Sequence, residues 1–399
     1  MARRRDPRGR ARPRGRHADG GGRGRRQARD EKARPRRRHL PAPRPEPARR
    51  AGPRGAGAAH DPARGRLSAP SRAVLVLSRD DLRAALTPLD LVDALAAAIR
   101  AHAAGRTRVP PRAVHPVGAD GLLILMPAAL ADGDALTLGT KLLTYYGGNR
   151  AQGQPTIYAT YVLLDGASGR PLALLEGTFL TGIRTGAASA LAARHLARPD
   201  ARRLTCFGAG VQAGFQLRCL AAVLPLEGVS VVGRDPGRAH AFCAELEGEL
   251  GIPVEVASDA RSAVAAADVI TCATTATAPV VAGVDLRPGV HVDAVGAFRR
   301  DAREVDTEAV RRARVAVDTY AGAWEEAGDL LIPLGEGAIG REHVVAELAE
   351  LVGGIRAGRT RAEEITLFKS VGWALEDLAA ARLAYNRARE RSIGLEVSL

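Results

Sequence analysis

Cysteine is scarce: the four in 399 residues are Cys206, Cys219, Cys243 and Cys272, with no CxxC pair and no Cys/His metal-site spacing. That excludes a disulfide scaffold and leaves structural zinc, or any other metal, without support. Set in apolar runs such as LTCFG and VITCATT, these thiols read as core groups of a protein in the reducing cytoplasm. No apolar run reaches the roughly 20 residues of a membrane-spanning helix. Glycine lacks the three-residue period of collagen.

Acidic residues are sparse only at the start. Residues 1–72 hold 24 Lys and Arg against 6 Asp and Glu, whereas the other 327 hold 34 against 38. The formal charge of +14 therefore belongs to the leader, and the pI says nothing about nucleic-acid binding by the body. Rich in Arg, Pro, Gly and Ala and almost devoid of β-branched or aromatic residues, the leader cannot offset its ordering entropy by burial. No 7–15-residue apolar core follows the basic start, so it is not a secretory signal. We expect a disordered basic extension; a nucleic-acid-binding arm is the functional alternative.

Ordered patterns begin near VLVLSRDDLRAAL, where Ser78 with Asp81 three residues on marks a helix start. LTPLDLVDALAAAIRAHAAG predicts a second helix ending at Gly105. Strand patterns follow in GLLILMP, ALTLGTKLLTYY and TIYATYVLLDGASGRPLALLEG, the last a hairpin about DGASG. This part reads as α+β with antiparallel strands. Beyond GIRTGAASALAARHLARPD, a helix, short apolar strands alternate with helices up to RVAVDTY, which predicts a doubly wound parallel sheet. From about Glu325 the chain reads as helical, ending in FKSVGWALEDLAAARLAYNRARER.

The run RRLTCFGAGVQAGFQ places Gly208, Gly210 and Ala213 in a G-x-G-x-x-A pattern after an apolar strand and at the start of a helix. Gly208 permits the tight turn, Gly210 a close approach to pyrophosphate, and Ala213 close helix–strand packing. Ala209, Val211 and Gln212 complete the turn. The next strand ends at VVGRDP, where Gly233 stands in place of the usual ribose-binding acid. Arg234 beside it favours the 2′-phosphate of NADP, while Asp235 leaves NAD open.

The body, about residues 74–397, resembles the ornithine cyclodeaminase / mu-crystallin family. The resemblance rests on LMPA (125–128), GTK (139–141), GQPT (153–156), TGIRTGAASALAARHLARPDA (181–201), GAGVQA (208–213), DAVGAFRRDAREVD (293–306), EEAGDL (325–330) and EEITLFKSVGWALEDLAAA (363–381). It implies an α/β fold: a Rossmann doubly wound sheet over residues 191–325, inserted into an α+β antiparallel substrate and dimerisation domain. That domain would start at 73–190 and be completed by C-terminal helices in 326–399. It also implies a homodimer, a cleft between the domains, and cofactor contacts extending to Thr185, Thr274, Val295, Gly296, Ser370, Val371 and Gly372.

In that cleft the resemblance puts substrate-carboxylate arginines at Arg112 and Arg184 and a catalytic lysine at Lys141. Arginine suits the first task by bidentate bonding. Lys141 is the only lysine between residues 73 and 368, in a body that otherwise uses arginine. Lysine can donate a proton where arginine cannot readily change state. Met126 joins the substrate pocket. Two positions depart from ornithine cyclodeaminases proper, which carry carboxylates where this chain has Ile124 and Phe298. A diamine would lose its cation partners there. With Lys369 in FKSVG, the chain looks closer to the mu-crystallin branch.

These features imply an NAD(P)H-dependent reductase acting on a small amino- or imino-acid substrate: a cyclic ketimine, pyrroline-2-carboxylate, or the imine of a 2-oxo acid. Ornithine cyclodeamination is the alternative enzyme reading, and a nucleotide-dependent binding protein of mu-crystallin type the alternative of another class. Glu176 and Asp329 are further polar candidates, and His115 and His195 read as structural.

Overall fold

A computed structural model describes residues 73–133 and 135–398. The expectation for the basic leader lies outside the described residues. The chain opens with β1 (Ala73–Leu77), α1 (Arg79–Ala85), α2 (Pro88–Ala103), β2 (Thr107–Arg108), β3 (Ala113–Val117), β4 (Gly121–Asp132), β5 (Ala135–Tyr146), β6 (Ile157–Asp165), β7 (Pro171–Glu176) and α3 (Gly177–Leu196). Ser78 and Asp81 form a reciprocal capping box at α1, as their spacing predicts. Asp165 closes the β6–β7 hairpin, its Oδ1 accepting from Ser168 N at 2.7 Å.

These strands form an eight-stranded sheet in the order β16-β1-β7-β6-β5-β4-β2, with β3 also on β4 and β16 (Leu395–Ser398) returning from the far end of the chain. It is antiparallel except that β1 runs parallel to β7. One face packs on α2, α3 and α11 (Ala374–Arg391) over a leucine- and alanine-rich core.

The second sheet is parallel throughout, in the order β10-β9-β8-β11-β12-β15-β13-β14. Its elements are β8 (Arg203–Phe207), α4 (Val211–Ala221), β9 (Gly228–Val232), α5 (Pro236–Leu250), β10 (Val254–Val256), α6 (Ala260–Ala266), β11 (Val269–Cys272), β12 (His291–Ala294), α7 (Thr307–Arg312) and β13 (Ala313–Val317). After α8 (Tyr320–Glu326) and α9 (Gly328–Gly335) come β14 (Val344–Glu347), α10 (Leu348–Val352) and β15 (Ile365–Lys369).

Here the structure corrects the sequence reading, which makes the chain helical from about Glu325. Strands β14 and β15 belong to the parallel sheet, and β15 lies between β12 and β13. Every residue of β15, ITLFK, is buried. A five-residue run buried on both faces has no alternation to mark it as a strand. FKSVGWALEDLAAA accordingly divides into a strand end, a turn and the start of α11. That division carries the last strand of the parallel sheet directly to the helix covering the first sheet.

Candidate active site

The antiparallel sheet places Met126, Lys141 and Tyr161 in one cross-strand row on β4, β5 and β6. Facing residues share a side of the sheet, so this row points at α11. Lys141 is buried, and its Nζ lies 3.0 Å from Asp377 Oδ1 and 2.9 Å from Oδ2. Arg184, on α3, donates from Nε to Asp377 Oδ1 at 2.9 Å and from Nη1 to Glu376 Oε2 at 2.7 Å. Glu376 and Asp377 sit in the first turn of α11, where the helix dipole favours anions. The buried cluster therefore has two cations and two carboxylates, and Arg184 Nη2 has no hydrogen-bond partner among the described residues.

Burial pushes the Lys141 ammonium down to about 8. Asp377 opposes this; Arg184 and Arg112 add to it. Burial works against the Asp377 carboxylate, but Arg184 and Lys141 hold it below the usual range. Burial, reinforced by repulsion from Asp318 and Asp377, takes Glu376 up to about 7 against the pull of Arg184. The arrangement thus holds one firm carboxylate against a lysine poised to exchange a proton near neutral pH.

Arg112 reaches the same place from the segment before β3. Its Nη2 donates to Val371 O at 3.1 Å and Gly372 O at 2.7 Å, and its Nε lies 3.3 Å from Glu326 Oε1. The 370–372 turn is held from behind by Asp318, whose Oδ2 accepts from Ser370 Oγ at 3.0 Å, Val371 N at 2.7 Å and Gly372 N at 2.6 Å. A side chain on Gly372 would meet the Arg184 guanidinium at 3.0 Å. Lys141, Arg184 and Arg112, which the family resemblance puts at the substrate, converge where β15 passes into α11.

The pocket residues separate. Met126 is buried beside Lys141; Ile124 lies two residues along the same face, half-buried. Phe298, in the loop after β12, is 46 % exposed.

The glycine-rich turn has the form expected. Gly208 has φ +112°, and a Cβ there would stand 2.6 Å from Ala273 O. Gly210 opens α4 with free space at its α-carbon, and Ala213 is buried. The amino end of α4 has no side-chain cap. Exposed backbone N–H groups at that helix end, beside a turn only glycine can make, fit a dinucleotide pyrophosphate. Ala209 O accepts from Arg238 Nε at 3.1 Å, Val211 is exposed, and Gln212 Nε2 donates to Gly182 O at 3.2 Å. Arg234 Nη2 lies 3.5 Å from Thr275 Oγ1. Asp235 caps α5 through Arg238 N at 3.0 Å.

Of the outer cofactor candidates, Thr185 Oγ1 donates to Thr181 O at 2.9 Å, and Val295 is buried beside Gly296. Thr274 N and Gly296 N both donate to Glu304, each at 2.7 Å. Glu176 caps α3, accepting from Thr178 N at 2.8 Å and Phe179 N at 2.7 Å; Asp329 pairs with Lys369 at 2.9 Å. Asp377, Glu376 and Asp318 are absent from the sequence-derived set. The adjacent acids Glu376 and Asp377 in the otherwise apolar WALEDLAAA were the available signal. No group of three His, Cys, Asp or Glu among the described residues could hold a metal.

The family model for ornithine cyclodeaminase/mu-crystallin proteins matches residues 73–392. The chain belongs to this family. A Delta(1)-pyrroline-2-carboxylate reductase of Bacillus cereus is 37 % identical over 325 residues, which is 81 % of this chain and 99 % of that protein. The Thermococcus litoralis Delta(1)-pyrroline-2-carboxylate reductase, solved with NADH and L-proline, superposes with a TM-score of 0.77 at 41 % identity. The match covers 81 % of this chain and all of that one. An archaeal alanine dehydrogenase dimer with bound NAD gives a TM-score of 0.76 at 31 % identity, over 82 % of this chain and 99 % of the other.

Proposed function

We propose that the chain is an NAD(P)H-dependent reductase of small imino acids, with Δ1-pyrroline-2-carboxylate as its reference substrate. The observation that carries this reading is the buried Lys141, held by Asp377 beside Arg184, at the junction of an apolar β-sheet face and a glycine-turn dinucleotide site. Likeness to two reductases of that imine supports it. With its pyrophosphate held at the Gly208–Gln212 turn, a reduced nicotinamide dinucleotide would supply the hydride.

The protein's part is orientation and proton supply. Arg112, fixed by two carbonyls and Glu326, and the free Nη2 of Arg184 would hold the substrate carboxylate. That leaves the imine carbon and nitrogen beside Lys141. As the C=N π bond takes a hydride at carbon, the Lys141 ammonium gives its proton to nitrogen and becomes the amine; solvent reprotonates it. Asp377 keeps the Nζ aimed and favours its charged form between turnovers. Ile124, Met126 and Phe298 would give the ring an apolar wall.

Gly233, Arg234 and Arg238 favour NADPH over NADH, since the loop after β9 and the first turn of α5 offer two guanidinium groups, and the one acid there, Asp235, serves as a helix cap. Leu142, Leu136 and Tyr158 stand 37, 41 and 50 % exposed on the outer face of the antiparallel sheet, with Leu125 and Leu123 alongside. An uncovered apolar face of this kind fits a homodimer interface. The four free, buried thiols fit the cytoplasm.

The test is loss of reduced-nicotinamide absorbance by the full chain, offering NADPH or NADH with pyrroline-2-carboxylate. Ornithine plus NAD, scored for ammonia, is the control. Imine-dependent oxidation with silence on ornithine supports the reductase. Ammonia from ornithine instead would hand the site to cyclodeamination.

A further inference from the structure

Lys369 is the second lysine of the body, fully buried at the carboxyl end of β15, and nothing in the reaction above uses it. Its Nζ lies 2.9 Å from Asp329 Oδ2 and donates to Ala297 O. Asp329, at the start of α9, accepts through Oδ1 from Glu304 N at 2.7 Å and Val305 N at 3.0 Å. Glu304 is fully buried as well. Its Oε1 accepts from Thr274 N and Thr274 Oγ1, both at 2.7 Å. Its Oε2 accepts from Gly296 N at 2.7 Å and Ala297 N at 3.3 Å.

Two features show that the loops are built around these groups. A Cβ on Gly296 would stand 2.4 Å from Glu304 Oε1, so glycine is needed there to admit the glutamate. A Cβ on Gly328 would meet Ala302 O at 2.1 Å, so α9 is seated directly on the 299–302 turn, which brings Asp329 to Lys369. Ala297 is gripped at both backbone groups, its N–H by Glu304 and its C=O by Lys369. The next residue is Phe298, 46 % exposed in the loop after β12.

A cluster of three buried charges is a costly way to stabilise a core that aliphatic side chains could fill. It does what aliphatics cannot: it sets the position of two loop segments to within hydrogen-bond tolerance at the carboxyl ends of β11 and β12, the end of a parallel sheet where ligands bind. We propose that Lys369, Glu304 and Asp329 are positioning residues that clamp the Thr274 and Gly296–Ala297 segments, and through Ala297 hold Phe298 against the substrate. The clamp also spends the N–H groups of Thr274, Gly296 and Ala297 inside the protein. Any ligand contact by these segments is then made through carbonyls and side chains.

The test uses the full chain and the variants Lys369→Met and Lys369→Met/Glu304→Gln. The double variant removes one charge of each sign, so it keeps the balance that the single one upsets and guards against simple unfolding. Hydrogen exchange of peptides spanning 294–300 reads the clamp directly. Exchange in the folded double variant is expected to rise about ten-fold or more, since these amides would open locally rather than globally. The dissociation constant of NADPH, read by fluorescence, should rise with it. The kinetic arm rests on the imine-reductase reading: a displacement near 1 Å predicts about a hundred-fold loss in kcat with little change in KM for the imine. Unchanged exchange at 294–300 would overturn the clamp. Faster exchange with wild-type kcat and wild-type NADPH affinity would overturn its positioning role. Wild-type protein that reduces no imine defeats the reading of function alone, and exchange with NADPH affinity then decides the clamp.

Discussion

Replacing Lys141 by methionine separates catalysis from stability. Methionine matches the side chain out to Cε and removes the ammonium. Asp377 keeps one partner, because Arg184 Nε remains 2.9 Å from its Oδ1, while its Oδ2 loses the ammonium. Removing a positioned proton donor costs about 10²–10⁴ in rate. The wild-type rate should follow the ammonium form, falling as pH rises through the Lys141 value of about 8. The stability prediction has its own sign. The folded value lies below the ordinary 10.5. Between about 8 and 10.5 the unfolded chain therefore binds more protons than the folded one, and wild-type stability rises with pH across that window. The shift corresponds to roughly 3 kcal/mol of penalty for the buried ammonium at neutral pH. Lys141→Met should abolish this rise. Imine reduction measured from pH 6 to 10, with urea melts at pH 7 and 9.5, checks both. A variant that keeps its rate within ten-fold, or keeps the inflection near 8 at reduced rate, removes Lys141 as the donor; a persistent inflection would belong to the substrate.

Gly208→Ala forces a side chain into a backbone with φ +112° and to within 2.6 Å of Ala273 O; NADPH binding read by fluorescence should be lost while the far-UV circular dichroism stays, and retained binding would mean the turn is not the pyrophosphate cradle. Arg234→Ala should raise the dissociation constant of NADPH more than that of NADH, by about ten-fold for a single charged contact; equal effects on both would end the NADP reading. Leu142→Arg on the open sheet face should yield a monomer by light scattering, whereas an unchanged dimer would put the interface elsewhere. Arg112→Lys loses the planar fork that Val371 O, Gly372 O and Glu326 hold, so KM for the imine should rise well before kcat falls.

How far the sequence carries depends on whether a residue's role is written in local pattern or in tertiary contact. The glycine turn was legible because strand, turn and helix are contiguous and each has a local signature; Gly208 and Ala213 are found as expected. The capping box of Ser78 and Asp81 was legible for the same reason. Strand β15 was not, because burial on both faces erases alternation, and its neighbours β12 and β13 are far off in sequence. That one strand decides the geometry of the site. It ends at Lys369 inside the charge cluster, passes through a turn held by Asp318 and Arg112, and delivers Glu376 and Asp377 to Arg184 and Lys141 within eight residues. Lys141 and Arg184 were singled out through the family resemblance, but their acidic partners were not, since an acid in a helix reads as surface until the helix is known to be buried. The two lysines differ in their surroundings. Both are buried against carboxylates, yet Lys369 has its value raised, with Asp329 and Glu304 outweighing burial, whereas Lys141 has its value lowered by burial and by neighbouring guanidinium groups. A lysine locked in its charged form suits a clamp, and one loosened toward neutrality suits proton transfer. In a body built on arginine, lysine stands at the two places where a single flexible ammonium inside the protein does what a guanidinium fork cannot.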